Sequence, residues 1–287
     1  MESRRIVSVR SHDDGVDHWE MIDAEPTAIL RRRGVRYCSY REHTSSFAAR
    51  RELATTSGVL IYALDAPLEI VGADGCALTL DTGEAFVGGI TDATSLTRAL
   101  GPQTGVHVFM SLNSLACVIG APLAEIANRV VPLADFIGKA ADDLGSALCE
   151  TQSAESRFAL LDKFLLERFA RDVHRDQPVS WAMRKLQHSA RPQTTALAYE
   201  IGWSRKHFIQ RFHEATGFSP DQFRRIHRFE RFVAALTAAP HEGLAALAVD
   251  TGYVDQAHLA RDVRHFAAMT PGELRARLLP SAGGVRD

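Results

Sequence analysis

The chain states one pattern twice in its C-terminal third. Ala196-Leu197-Ala198-Tyr199-Glu200-Ile201-Gly202-Trp203 returns fifty positions later as Ala246-Leu247-Ala248-Val249-Asp250-Thr251-Gly252-Tyr253. Ser219-Pro220-Asp221-Gln222-Phe223-Arg224 returns as Thr270-Pro271-Gly272-Glu273-Leu274-Arg275. Each copy reads as a short helix, a tight turn at glycine, a second helix, a stop, and a capped third helix. Two helices joined by a short turn that contains glycine form a helix-turn-helix unit. Caps, glycines and apolar positions in register across two copies point to a tandem unit rather than to a chance helical pair.

In the first copy, Thr194 or Thr195 is expected to cap a helix over 196–201, its side-chain oxygen satisfying an orphan N–H of the first turn. Gly202 gives the turn. Ser204 caps the next helix, 205–216, and Gly217 occupies the left-handed position that ends it. Ser219-Pro220 restarts the chain as cap and first helical residue, with Gln222 completing a capping box. The third helix, 221 to about 238, would be ~28 Å long at 1.5 Å per residue.

The second helix of each copy is the one expected to enter a groove of DNA. At ~100° per residue, Phe208 and Phe212 face inward in copy one, and Lys206, Gln210 and His213 face outward. In copy two Leu259, Val263 and Phe266 face inward, and Ala257, Arg261 and Arg264 lie opposite. Lys, Gln and Arg side chains suit base edges and phosphates, whereas an alanine offers only apolar contact with a thymine methyl. Bases are assigned to Lys206, Gln210 and Arg261, and phosphates to Arg205, His207, Arg211 and Arg264. Ser204, Gln256, Ala257 and His258 complete the expected DNA-contacting set.

The charge distribution agrees. The formal net charge of the 287 residues is −2. Residues 178–280 hold 14 Lys and Arg against 9 Asp and Glu, a net of +5, which leaves −7 on the remainder. A local basic excess is what phosphate neutralisation requires. Seven of the 12 histidines also lie in this part, so DNA binding is expected to strengthen as pH falls.

The preceding half reads differently. Residues 1–39 are polar, with Arg31-Arg32-Arg33 near their end, and are expected to be a partly ordered extension. His12, Asp13, Asp14, Asp17 and His18 within it read as a solvated turn rather than a metal cluster. From about 40 to 112, short apolar or alternating runs at 58–64, 68–71, 77–80, 84–90 and 105–110 are separated by Gly, Pro and Asp. That spacing predicts a small antiparallel sandwich or barrel. Helical periodicity follows at 112–119, 123–129, 133–148 and 154–171, the last with Phe158, Leu161, Leu165 and Phe169 on one stripe. Residues 173–178 read as a linker. The fold class is therefore α+β: a β-sandwich or barrel with flanking helices over 40–172, then an all-α domain over 179–280. The four cysteines, Cys38, Cys76, Cys117 and Cys149, are scattered without zinc-ligand spacing. No signal peptide or membrane-spanning run is visible, which predicts a cytoplasmic protein.

The segment 179–279 resembles the DNA-binding domain of AraC/XylS-type transcriptional regulators. The residues that carry the likeness are Ala198 to Trp203, Phe208 and Phe212, Thr216-Gly217-Phe218-Ser219-Pro220, and Gly252-Tyr253 with Asp255-Gln256 and His258-Leu259. The resemblance implies two recognition helices in successive major-groove segments, joined by a long helix. It also implies contact with RNA polymerase. This chain has Ala267-Ala268 where such regulators commonly carry Phe-Gly, and Asp262 beside Arg261 would repel phosphate if it faced it. Copy two is thus expected to grip DNA less tightly than copy one. The first half is similar, more loosely, to the cupin-like sensor domains of such regulators. The stretch 105–138, with Leu123-Ala124-Glu125-Ile126-Ala127-Asn128 leading into Val131-Pro132-Leu133, resembles a subgroup of them with an uncharacterised sensor domain.

The leading expectation is a transcription factor binding double-stranded DNA, with a small-molecule effector or a homodimer contact at its first domain, no cofactor and no metal. Two rivals are an enzyme on the β-domain and a ligand-independent dimeric regulator. The enzyme reading needs a metal or a polar triad. His107 has Phe109 where a His-x-His pair would continue, and His241-Glu242 lacks the second His of a zinc-protease motif.

Overall fold

The computed structural model describes residues 5–171, 177–188, 193–279 and 284–287. Twelve strands are assigned among these: β1 (Arg5–Asp13), β2 (His18–Glu25), β3 (Arg36–His43), β4 (Arg50–Glu52), β5 (Gly58–Ala63), β6 (Leu68–Val71), β7 (Ala77–Leu80), β8 (Ala85–Gly88), β9 (Ser95–Ala99), β10 (Gln103–Met110), β11 (Val130–Pro132) and β12 (Val285–Arg286). They form two antiparallel sheets and no closed barrel. The larger runs β1-β2-β3-β10-β5-β8-β11 and the smaller β12-β4-β9-β6-β7.

Side chains alternate across a strand, so each sheet has two distinct faces. Val106, Val108 and Met110 of β10 join Leu60 and Tyr62 of β5 in a core against the helices. Gln103, His107 and Phe109 of the same strand line a cavity between the sheets. Tyr40 of β3 lies opposite Gly105 of β10. A Cβ at Gly105 would collide with the Tyr40 ring, so glycine there lets the aromatic lie flat across the strand.

The extension expected for 1–39 is instead structured from residue 5: β1, β2, a short helix α1 (Ala28–Arg32) and the start of β3 build one end of the larger sheet. β1 hid in the sequence because it is an edge strand with Val7 and Val9 exposed, so no buried face imposes an alternating pattern. β3 hid because Tyr37, Cys38, Ser39 and Tyr40 are buried on both faces. The β1–β2 turn is solvent-exposed from His12 to Val16 as expected, but Asp17 is buried and accepts the Ser45 and Ser46 amides, each at 2.9 Å.

Helices close the domain. α2 (Leu112–Ile119) matches its expected span. The 123–129 segment is a single 3-10 turn, Leu123–Ile126. The 133–148 helix breaks at Gly138 into α3 (Ala134–Ile137) and α4 (Lys139–Glu150). α5 (Ala154–Ala170) buries the expected Phe158, Leu161, Leu165 and Phe169 together with Asp162, which accepts the Tyr37 hydroxyl at 2.8 Å. Most of the 173–178 linker lies outside the described residues; Gln177 and Pro178 open α6 (Gln177–His188).

The remaining helices are α7 (Thr194–Glu200), α8 (Arg205–Thr216), α9 (Pro220–Ala238), α10 (Leu244–Asp250), α11 (Gln256–Ala267) and α12 (Pro271–Arg277). One continuous apolar core runs from Leu60 and Val106 through Phe158 to Phe208, Phe229 and Phe266. Three further contacts fasten the halves. Gly217, at the end of α8, packs on Ala124 and Ala127 of the 3-10 turn. Glu230 of α9 takes hydrogen bonds from Thr55, Thr56 and Ser57, the hydroxyls of Thr55 and Thr56 at 2.6 Å. β12 returns to pair with β4, Val285 opposite Arg51.

Candidate nucleic-acid interface

Copy one is α7, a turn at Gly202 (φ 73°) and α8. The expected threonine cap does not form: α7 begins at Thr194 with Gln193 as its N-cap, and the Thr194 hydroxyl points to Asp221 at 3.4 Å. Ser204 does cap α8, accepting the His207 amide at 3.2 Å. Phe208 and Phe212 are buried, and Phe212 meets Phe223 of α9 edge-on at 5.6 Å. α8 therefore seats through its aromatic stripe. Arg205, Lys206, His207, Gln210, Arg211 and His213 are exposed on its other side. Gln210 and Arg211 both reach Glu214, at 3.0 and 2.8 Å. Glu214 would have to release them for base or phosphate contact.

Copy two repeats this plan with different fittings. Asp255 caps α11, accepting the His258 amide at 2.6 Å. Leu259, Val263 and Phe266 are buried, while Gln256, Ala257, Arg261 and Arg264 are exposed. His258 is turned partly inward, its Nε2 2.9 Å from the Arg228 guanidinium and its ring edge-on to Tyr253 at 5.2 Å. Burial, then the Arg228 charge, hold its pKa below the usual imidazole value, which opposes its charging as pH falls.

Asp262 does not face DNA. It is 2% exposed and accepts from Arg225 at 2.9 Å and Arg228 at 2.7 Å, both on α9. The feared repulsion is an anchor, and sequence spacing alone could not show it because the partners lie more than thirty residues away. Ala268 takes the left-handed cap position at φ 56°, a conformation that costs roughly 1–2 kcal/mol for a residue with a Cβ. Ala267 is fully buried. Exposed Tyr199 and Val249 hold the same place in the two copies, an apolar pairing that polarity patterns did not single out.

Fold and surface define a tandem helix-turn-helix domain with two polar, basic second helices. Residues 197–277 match the family model described as a helix-turn-helix domain. No curated protein matches the chain. Among solved structures it is similar to ToxT from Vibrio cholerae in a P21 crystal form, with a TM-score of 0.50 and 9% identity over 84% of this chain and 98% of that one. ToxT from Vibrio cholerae O395 gives a TM-score of 0.51 at 9% identity, covering 84% and 97%. ToxT from the same strain bound to (E)-4-(8-methylnaphthalen-1-yl)but-3-enoic acid gives 0.52 at 10% identity, covering 84% and 98%. At such identity the likeness is one of fold, and it spans both halves of the chain.

No described helix is long and apolar enough to cross a membrane. Among the described residues, no group of three or more His, Cys, Asp and Glu is placed to hold a metal ion. Cys38 is buried beside the cavity, its thiol pushed up to about 12 by burial and then by Asp23, so it stays un-ionised at neutral pH.

Proposed function

We propose that the protein is a sequence-specific transcriptional regulator that reads double-stranded DNA with α8 and α11 and senses a small molecule in its first domain. The observation that carries the DNA reading is the matched exposure of Lys206 and Gln210 on α8 and of Arg261 and Arg264 on α11, each opposite a buried apolar stripe. Arg205, His207 and Arg211 serve phosphates on the first site, and Arg264 on the second. Ser204 presents its helix N-terminus, and Gln256 and Ala257 flank the base-reading positions of α11. His258 acts chiefly by holding α11 to Arg228. α9, 19 residues long, spans ~28 Å, close to a groove repeat of ~34 Å.

The effector reading rests on a cavity of about 1130 Å³ between the two sheets. Ligand sites of drug-like molecules occupy about 300–1,000 Å³. One of its walls is α9 itself: Glu230, Val233 and Thr237 line it alongside Thr55 and Ser57. A molecule there would touch the helix that joins the two reading units, and differential affinity for two arrangements of α9 would couple ligand to DNA. Contact with RNA polymerase, self-association and a cytoplasmic setting complete the proposal.

An anisotropy titration on DNA from upstream of the protein's own gene, against scrambled competitor, tests it. The expected preference is about a thousandfold or more. Affinity should also fall by ~10³ or more between 50 and 200 mM salt if about six phosphates are contacted. A flat salt profile would contradict phosphate gripping.

A further inference from the structure

The cavity is divided by chemistry. Val59 and Ile61 of β5, Phe86 of β8 and Leu68 and Ile70 of β6 make an apolar half. The other half is polar and connected. Arg50 of β4 donates to Glu42 of β3 at 3.0 Å. Glu52, two residues along β4 and so on the same side, accepts the Thr97 hydroxyl at 3.1 Å. Gln103 sits opposite Glu42 in the strand register.

The charges and hydrogen bonds of this half do not balance. One guanidinium faces two carboxyl groups, an excess of one acidic group over basic ones at this end. Toward the rim, Asp23 is taken by Ser8 and Arg10, and Arg36 lies over Phe109. His107, wedged between Tyr40 at 4.6 Å and Phe109 at 5.6 Å, contributes no compensating charge at neutral pH: burial and then Arg50 hold it at about 3. Burial likewise pushes the Glu52 carboxyl above its usual range. Gln103 is 1% exposed, and its amide nitrogen donates to the carbonyls of Ala66 at 3.0 Å and Pro67 at 3.2 Å. That fixes the amide orientation and leaves its carbonyl oxygen, buried in the cavity wall, without a partner among the described residues. A buried acceptor is costly when it is left unmatched.

We infer that the cavity binds an organic cation, with a protonated amine head at the Glu42–Arg50–Glu52 end and an apolar body along Val59, Ile61, Leu68 and Phe86. The head supplies the missing positive charge beside Glu42 and Glu52. The faces of Tyr40 and His107 offer it a π-surface. A carboxylate head would meet an Arg50 already engaged by Glu42 and a second carboxylate beside it. This inference rests on the reading of the cavity as the effector site.

Calorimetric titration of the full chain at pH 7 with matched heads on two bodies tests it: naphthylmethylamine, naphthylmethanol and naphthoate, then decylamine, decanol and decanoate. The amine of each set should bind at least ~10-fold more tightly than the carboxylate, about 1.4 kcal/mol or more. In Glu52→Gln, checked for an unchanged fold by its melting curve, that ratio should shrink by about tenfold. The ranking on the unmodified chain is decisive even if the variant fails to fold. Carboxylate binding equal to or tighter than amine binding overturns the inference and leaves the effector reading standing. An amine preference undiminished in Ile61→Trp, which fills the cavity, places the binding elsewhere and also overturns it. No binding by any of the six overturns both.

Discussion

The two helix-turn-helix units share a plan and differ in what holds them. Unit one leans on the first domain: Gly217 closes α8 against Ala124 and Ala127. A Cβ on residue 217 would come within 2.6 Å of the Ala127 Cβ. Unit two leans on α9, through the buried Asp262 and its two arginines. Its cap position is Ala268, strained where unit one has glycine. The second helix of one unit is thus braced by the first domain as well as by α9, and that of the other by the helix that both units share. A ligand signal would reach the first through the 3-10 turn, and the second through α9 and through β12, which pairs with β4.

That contrast can be broken most forcefully at Asp262. Asp262→Ala strips Arg225 and Arg228 of a buried carboxylate, and breaking such a pair should cost about 3 kcal/mol in a urea melt. DNA contacts made by α11 should weaken far more than those of α8. A loss below about 1 kcal/mol would mean that α11 is held by its apolar stripe alone.

Next in size is the reading surface. Lys206→Ala with Gln210→Ala should weaken specific binding by about 2–3 kcal/mol, and Arg261→Ala with Arg264→Ala by about 1–2. The first pair costs more because α11 ends on the strained Ala268 cap and so holds its contacts less firmly. If the second pair costs more in a binding titration, the ordering is wrong.

Acid should loosen the helix common to both units. Burial alone would raise the Glu230 carboxyl. Hydrogen bonds from His227, Ser57, Thr55 and Thr56 outweigh it and hold the group at about 2, below an ordinary 4.5. A carboxyl depressed in the folded state stabilises fully above about pH 4.5, and that contribution fades as pH falls toward 2. Between pH 7 and pH 3 the unmodified protein should therefore lose roughly 2 kcal/mol more than Glu230→Gln. Equal acid sensitivity of the two would remove Glu230 as the fastening.

The smallest effect sharpens the comparison at its cap. Ala268→Gly should relieve the left-handed strain and stabilise by ~1 kcal/mol, seen as a melting temperature higher by about 2–4 °C. No change would mean that α11 frays before the cap matters.

The C-terminal domain was legible because local chemistry specifies it. Ser204, Gly217 and the Ser219–Gln222 box fall where spacing puts them. The exposed residues of α8 and α11 follow from helical period alone. Illegible parts depend on partners distant in sequence. Asp262 reads as a surface charge until α9 is seen beneath it. β1 reads as a polar tail until β2 pairs with it. The cavity escaped because Arg50 and Glu52 sit in a three-residue strand, while Gln103 and His107 share a strand with the core residues Val106 and Val108. Period-2 reading finds a strand but does not say which of its two faces encloses a void.

β12 pairs with β4 across some 230 residues of intervening chain. During synthesis at about 5–20 residues per second, β4 would leave the ribosome roughly 10–50 seconds before the strand that covers its edge. In that interval the smaller sheet presents an open edge at the segment that carries Arg50 and Glu52. The cavity between the sheets is therefore completed only after both helix-turn-helix units have been made, so a nascent chain would acquire those units before the finished site proposed to govern them.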